Sequence, residues 1–143
     1  MADDAARLLL DTHALVWTVA GTLAPEATGA IVAAAQSGGL LVSSVSAWEL
    51  GLLARPRSGA ARLRLHPDPE AWFGAVLAQP GFSEAPLTAA MALGASRLPG
   101  DFHHDPADRL LVATARELDV PLVTRNRRIL AYGEAGHVRT LLC

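Results

Sequence analysis

The sequence contains no lysine: all 12 of its basic residues are arginines. That absence excludes a P-loop nucleotide site, whose lysine reaches the phosphates, and any enzyme working through a lysine base or Schiff base. Cysteine is nearly as scarce. The single Cys143 allows neither an internal disulfide nor a thiolate metal site. Net charge is also small, and a formal value of -2 gives no whole-molecule attraction to nucleic acid. No apolar run reaches the ~20 residues that a membrane helix needs. The opening "MADDAARLLL" has the wrong charge for a secretory signal, so a cytoplasmic protein with no membrane partner is expected. What is present is apolar: 51% of residues are hydrophobic and 18% charged. That balance suits a globular chain, and 143 residues suit one domain, residues 1–143.

Periodicity predicts the order of elements. "RLLLD" (Arg7 to Asp11) is short and continuously apolar, as a parallel strand covered on both faces should be. A helix is expected to begin near His13, and an alanine-rich one from Glu26 to Ser37, stopped by Gly38 and Gly39. "LLVSS" (Leu40 to Ser44) reads as a second strand and "SAWELGLLA" as the helix that leaves it. Asp68 and Pro69 open an amphipathic helix, with a cap and then proline at the first position. A short helix is predicted from Thr88 to Arg97, and another after Asp105 and Pro106. "VPLVT" (Val120 to Thr124) is a buried strand, "NRRILAY" a short helix and "HVRTLL" a candidate edge strand. Strands alternating with helices predict an α/β fold, a parallel sheet flanked on both sides.

In such a sheet ligands bind beyond the carboxyl ends of the strands, and the acids fall there. Asp11 ends the first strand, Glu49 lies in the first turns after the second, and Asp105 and Asp108 open the helix leading to "PLVT". Thr124 and Asn126 close that strand. Singly, each acid has a plain structural reading as a helix cap, a dipole partner or a solvated residue. Together they do not, because like charges near 4 Å repel by about 4 kcal/mol at an effective dielectric of 20. Gathering three of them calls for a cation, and oxygen ligands without cysteine or a histidine set select Mg²⁺ or Mn²⁺.

The order LLLDTHALVW, VSSVSAWEL, HHDPADRLLVATA, PLVTRNRRILAYG resembles the PIN-domain family, especially the VapC-like toxins of bacterial type II toxin–antitoxin systems. The resemblance runs essentially end to end. It implies a three-layer α/β/α sandwich and a metal-dependent endoribonuclease, usually a homodimer, held inactive by a co-expressed antitoxin protein. Carried onto this chain, its three acidic positions are Asp11, Glu49 and Asp108. Asp11 and Asp108 would ligate the metal directly; Glu49 would ligate it or orient the attacking water. Asp105 matches the "DPxDR" form of the subgroup, as an assistant or a cap. Thr12 and Thr124 would position ligands or water through their hydroxyls. The fourth acidic position is Asn126 here, a departure that leaves one or two metals open. Asn126 either offers a neutral oxygen to a weakly held ion, holds a bound water, or only caps its helix.

Other polar residues have two readings each. Arg55, Arg57, Arg62 and Arg64 form a basic run that either grips RNA phosphates or is a solvated connector. His103 and His104 precede Asp105 and either touch substrate or belong to a solvated loop. Trp17, Trp48 and Trp72 lie in apolar helical patterns and are expected in the core or a subunit interface. The apolar surface around Trp48, Leu52 and Leu53 is a candidate groove for the antitoxin. Two further functions remain beside the toxin: another metal nuclease of RNA processing on the same fold, and a non-catalytic descendant that binds RNA or protein.

Overall fold

The computed structural model describes residues 6–56 and 62–143. Five parallel strands form one sheet in the order β3-β2-β1-β4-β5. They are β1 (Leu8–Leu10), β2 (Leu40–Ser43), β3 (Phe82–Ala85), β4 (Leu122–Thr124) and β5 (Thr140–Leu142). The register pairs Leu9 with Leu41 on one side and Leu122 on the other, which makes the triple-leucine strand the centre of the sheet. Seven helices connect the strands among the described residues: α1 (Thr12–Ala20), α2 (Pro25–Gln36), α3 (Ser44–Leu53), α4 (Pro69–Ala78), α5 (Ala89–Ser96), α6 (Pro106–Leu118) and α7 (Arg127–Glu134).

Side chains alternate across a strand, so two cores form. Leu8, Leu10, Leu40, Val42 and Val123 face α1, α2 and α4, whereas Leu9, Leu41 and Leu122 face α5, α6 and α7. The result is the three-layer α/β/α arrangement that the sequence predicts. β5 takes the edge position expected of "HVRTLL".

One strand has no counterpart in the sequence reading. β3 forms the opposite edge, where Ser83 and Glu84 face solvent and leave no apolar run to read. Its partner makes it a strand, since Phe82 to Ala85 pair with Leu40 to Ser43. The turn before it requires glycine: Gly81 has φ 96, and a Cβ there would stand 2.9 Å from the Ala35 carbonyl oxygen. Gly39 is needed for another reason, because its Cβ would come within 2.1 Å of the Ala6 carbonyl oxygen.

The chain order fixes where a ligand can sit. After β1 the chain winds through β2 and β3 to one edge, then returns to lay β4 on the other flank of β1. The crevice at this reversal opens beyond the carboxyl ends of β1 and β4. Those ends are Asp11 and the stretch from Thr124 to Asn126.

Candidate active site

Asp11 follows the last residue of β1 and caps α1, its Oδ1 accepting from the Ala14 N–H at 2.7 Å. Its Oδ2 accepts from the Thr124 hydroxyl at the end of β4, a bond across the crevice. The cap and the Thr124 bond together fix the orientation of the carboxylate. The residue is 8% exposed. Burial raises its pKa above the ordinary 3.8, against the lowering by Thr124 and the Ala14 N–H and the weaker pull of His13 and Arg125.

Glu49 reaches the crevice from α3. Thr12 donates to its Oε1, and the same Thr12 oxygen stands 3.0 Å from the Ser46 hydroxyl, which can donate in turn. Burial again raises the pKa, Thr12 lowers it, and Asp108 and Asp105 add repulsion. Asp108 comes from the first turn of α6, where Asp105 caps the helix by accepting from the Asp108 N–H at 3.0 Å. Its carboxyl is pushed up to about 6, by burial first and then by Asp105 and Asp11. These hydrogen bonds engage both oxygens of Asp11 but a single oxygen each of Glu49 and Asp108.

Asn126 is both cap and neighbour. Its Oδ1 accepts from the N–H groups of Arg128 (2.9 Å) and Ile129 (3.2 Å), and its Nδ2 donates to Asp108 Oδ2 at 3.1 Å. The helix N–H groups require the oxygen, so the amide can turn only its NH₂ toward the acid. Of the three readings of Asn126, the cap is the one seen: its oxygen accepts from α7 while its NH₂ faces Asp108.

One cavity of about 520 Å³ is lined by Asp11, Thr12, Glu49, Asp105, Asp108 and Asn126, together with His13, Trp17 and Arg125. The acids predicted from separate motifs meet there. Thr124 stands behind them, fully buried, holding Asp11. His103 is adjacent, its Nε2 3.0 Å from Asp108 Oδ2 but misaligned for a hydrogen bond. Burial and nearby Arg128 depress its pKa below the ordinary 6.5. His104 lies with His103, Asp105, Asn126, Arg127 and Arg128 around a neighbouring cavity of about 700 Å³. A cavity of about 760 Å³ at the other end of the sheet lacks a comparable set, and its Asp119 is paired with Arg139 at 3.1 Å.

The basic run is placed elsewhere. Arg62 and Arg64 line a separate cavity of about 250 Å³ beside α4, Arg55 is exposed past the end of α3, and Arg57 lies outside the described residues. None of Arg55, Arg62 and Arg64 lines the acidic cavity. The arginines near it are Arg125, Arg127 and Arg128, which the sequence reading passed over although they flank Asn126. Arg109 also went unread: its guanidinium donates to the carbonyls of Ala95, Phe102 and His103 and so fixes the loop before α6. Trp72 packs on the core as expected, Trp17 divides its surface between core and cavity, and Trp48 is exposed.

Comparison with known proteins matches residues 8–135 to the PIN domain. The chain belongs to the PIN-domain family. As a PIN domain it is similar to ribonuclease VapC22 of Mycobacterium tuberculosis (strain ATCC 25618 / H37Rv), 33% identical over 127 residues that cover 87% of this chain and 91% of that one. Its fold matches the crystal structure of VapBC2 from Rickettsia felis bound to a promoter DNA fragment, with TM-score 0.67 and 13% identity over 94% of this chain and 97% of that one. DNA-bound VapBC from Salmonella typhimurium aligns with TM-score 0.64 and 15% identity, covering 96% and 98% of the two chains. FitAcB from Neisseria gonorrhoeae aligns with TM-score 0.58 and 19% identity, covering 94% and 96%. At these identities the structures establish the PIN fold, and the acidic cavity lies at that fold's strand reversal.

Proposed function

We propose that this PIN-domain protein is an Mg²⁺- or Mn²⁺-dependent endoribonuclease, the toxin of a toxin–antitoxin pair, which hydrolyses RNA phosphodiester bonds until its antitoxin covers the site. The convergence of Asp11, Glu49 and Asp108 on one crevice carries the reading. Three buried or half-buried carboxylates with raised pKa are poorly compensated by protein cations, and a divalent cation is the compensation that suits an all-oxygen set. Among the described residues no three acidic, histidine or cysteine side chains are placed to hold a metal ion by themselves, so the ion in this proposal takes one or two carboxylates and completes its shell with water and phosphate. An open site fits Mg²⁺, which keeps several of its waters and is held by one or two carboxylates plus substrate phosphate.

Asp11, fixed at both oxygens, and Asp108 are the direct ligands in this proposal. Bound Mg²⁺ or Mn²⁺ supplies positive charge for the phosphate oxygens and lowers the pKa of water. Glu49, held by Thr12 through one oxygen, can accept a proton from the attacking water through the other. Asn126 donates to Asp108 and so fixes its orientation. The similarity to a ribonuclease that this chain matches over 91% of that protein's length supports RNA as the substrate. Leu87, Trp48 and Leu52 are exposed near one another on the α3 side, since the Leu87 N–H bonds to Ser44, one turn before Trp48 in the same helical row. They supply an apolar surface for the antitoxin or a second copy of the chain.

The test is controlled expression of the chain alone in a bacterium, with wild type and Asp11→Asn side by side. Asparagine caps a helix about as well as aspartate, so the fold is kept and the charge removed. Growth arrest with RNA cleavage is expected for wild type and neither for the variant. Undiminished arrest in Asp11→Asn overturns the metal site. Purified protein that leaves RNA intact in Mg²⁺ overturns the nuclease.

A further inference from the structure

The acidic cavity has a wall that the chemistry above does not use. Trp17 and Arg125 line it with His13. The Arg125 guanidinium lies 3.8 Å from the centroid of the Trp17 ring. A donated bond from its Nη2 to the Cys143 carbonyl at 2.9 Å holds it there. The His13 ring sits on the other end of the same helical row, 5.8 Å from Trp17 and tilted by 38°. Trp17 packs partly against the core, and Arg125 is exposed. The guanidinium carbon thus sits over the indole while Arg125 as a residue stays open to solvent.

We infer that Trp17 and Arg125 form a stacking platform for an unpaired nucleobase next to the scissile phosphate of a single-stranded RNA. The inference rests on the ribonuclease reading and adds a residue-level account of how substrate is held. Single-stranded RNA is gripped by stacking its bases on aromatic rings and arginine planes. The platform is also rigidly registered to the acids. Trp17 rides on α1, which Asp11 caps, while Arg125 follows Thr124, which donates to Asp11. A base on this wall therefore stands at a fixed offset from the carboxylates. The wall offers stacking area rather than a set of base-edge partners, so it tolerates any base and favours the larger purines.

The experiment measures binding of a short single-stranded oligoribonucleotide in Mg²⁺ to Asp11→Asn protein, which cannot cut it. The same sugar–phosphate chain carrying abasic residues is the comparison. Tryptophan fluorescence should be quenched by the RNA and far less by the abasic chain. The quench should disappear on adding Trp17→Phe while most of the affinity remains, because phenylalanine still stacks. Trp17→Ala and Arg125→Ala should each weaken binding about tenfold. Arg125→Lys should fail to restore it, since an ammonium has no plane to stack. In the active protein the same changes should raise KM and leave kcat within a factor of two or so. Equal binding of RNA and abasic chain, or full affinity in both Arg125 variants, overturns the platform. Base-dependent quenching in a protein whose wild type leaves RNA intact overturns the nuclease reading instead. Cleavage with no base dependence does the reverse.

Discussion

Asp108 experiences the strongest conflict between stability and use. Its ordinary pKa of 3.8 is pushed up to about 6 by burial, Asp105 and Asp11. Between these values the folded chain binds a proton that the unfolded chain has released. Without a divalent ion, stability should therefore fall as pH rises from about 4 to about 6, by roughly 2 kcal/mol, less than the ~3 kcal/mol of the full shift because solvent screens a half-buried carboxyl. Asp108→Asn should remove most of this slope and gain about 1–2 kcal/mol at pH 7.5 in chelator, while abolishing cleavage. Urea unfolding at several pH values checks it; a wild-type curve already flat from pH 4 to 7 would contradict it. Mg²⁺ should raise Tm more above pH 6 than below, because a protonated carboxyl is a poor ligand.

Asn126 gives the sharper contrast. It donates to Asp108 Oδ2 at 3.1 Å while its oxygen caps α7. Asn126→Asp keeps the cap but sets a second negative charge against the first. The expected result is a loss of about 1–3 kcal/mol of stability in chelator. In Mg²⁺ the half-maximal concentration for cleavage should drop about tenfold. The structure thus changes the reason for the effect: the added charge acts through Asp108, since the existing oxygen is unavailable. An unchanged Mg²⁺ titration would mean that this contact is incidental.

At the scale of the element, the caps are also the machinery. Asp105 caps α6 and simultaneously raises the pKa of Asp108. Asp105→Ala removes a cap worth about 1 kcal/mol yet relieves that repulsion, so its net effect on stability should be small. Asp105→Asn separates the two. The cap stays, and the Asp108 titration, followed by carboxyl NMR, should move down toward the ordinary value. A midpoint unmoved in Asp105→Asn would remove Asp105 from the electrostatics of the site.

The same economy explains what the sequence makes legible. A buried strand ending on a carboxylate, as at Asp11, leaves a local mark, and so does the Asp-Pro opening of α6; both led to the crevice. β3 leaves no mark, because Ser83 and Glu84 make a strand only through pairing with β2. The cavity wall was equally hidden. Trp17 and Arg125 are more than a hundred positions apart and meet only because β4 returns beside β1. The basic run carried two readings, and its members Arg62 and Arg64 lie beside α4, outside the acidic cavity.

For the whole molecule, the exposed row on α3 bears on assembly. Trp48 is 53% exposed and Leu52 39%, with Leu87 near the start of the same helix. Exposed apolar side chains that lie together, rather than singly, mark an interaction surface. Trp48→Glu should weaken association with the antitoxin or a second copy at least tenfold, with unfolding stability within about 0.5 kcal/mol of wild type. Sedimentation of the free chain and of the antitoxin mixture distinguishes the two partners. Unchanged association in both would leave this surface without a role.

The hydroxyl of Thr124 that grips Asp11 spans 113 positions of sequence. A ribosome emits the chain from its amino end at about 5–20 residues per second, so Asp11 and Glu49 emerge well before Asp108 and the strand that completes the crevice. During that interval the nascent chain is surrounded by RNA, including the message and the ribosome making it, and has no assembled centre with which to cut either. Fragments stopped short of β4 should be harmless for the same reason. In the proposed ribonuclease, cutting would thereby wait until β4 has emerged and paired with β1.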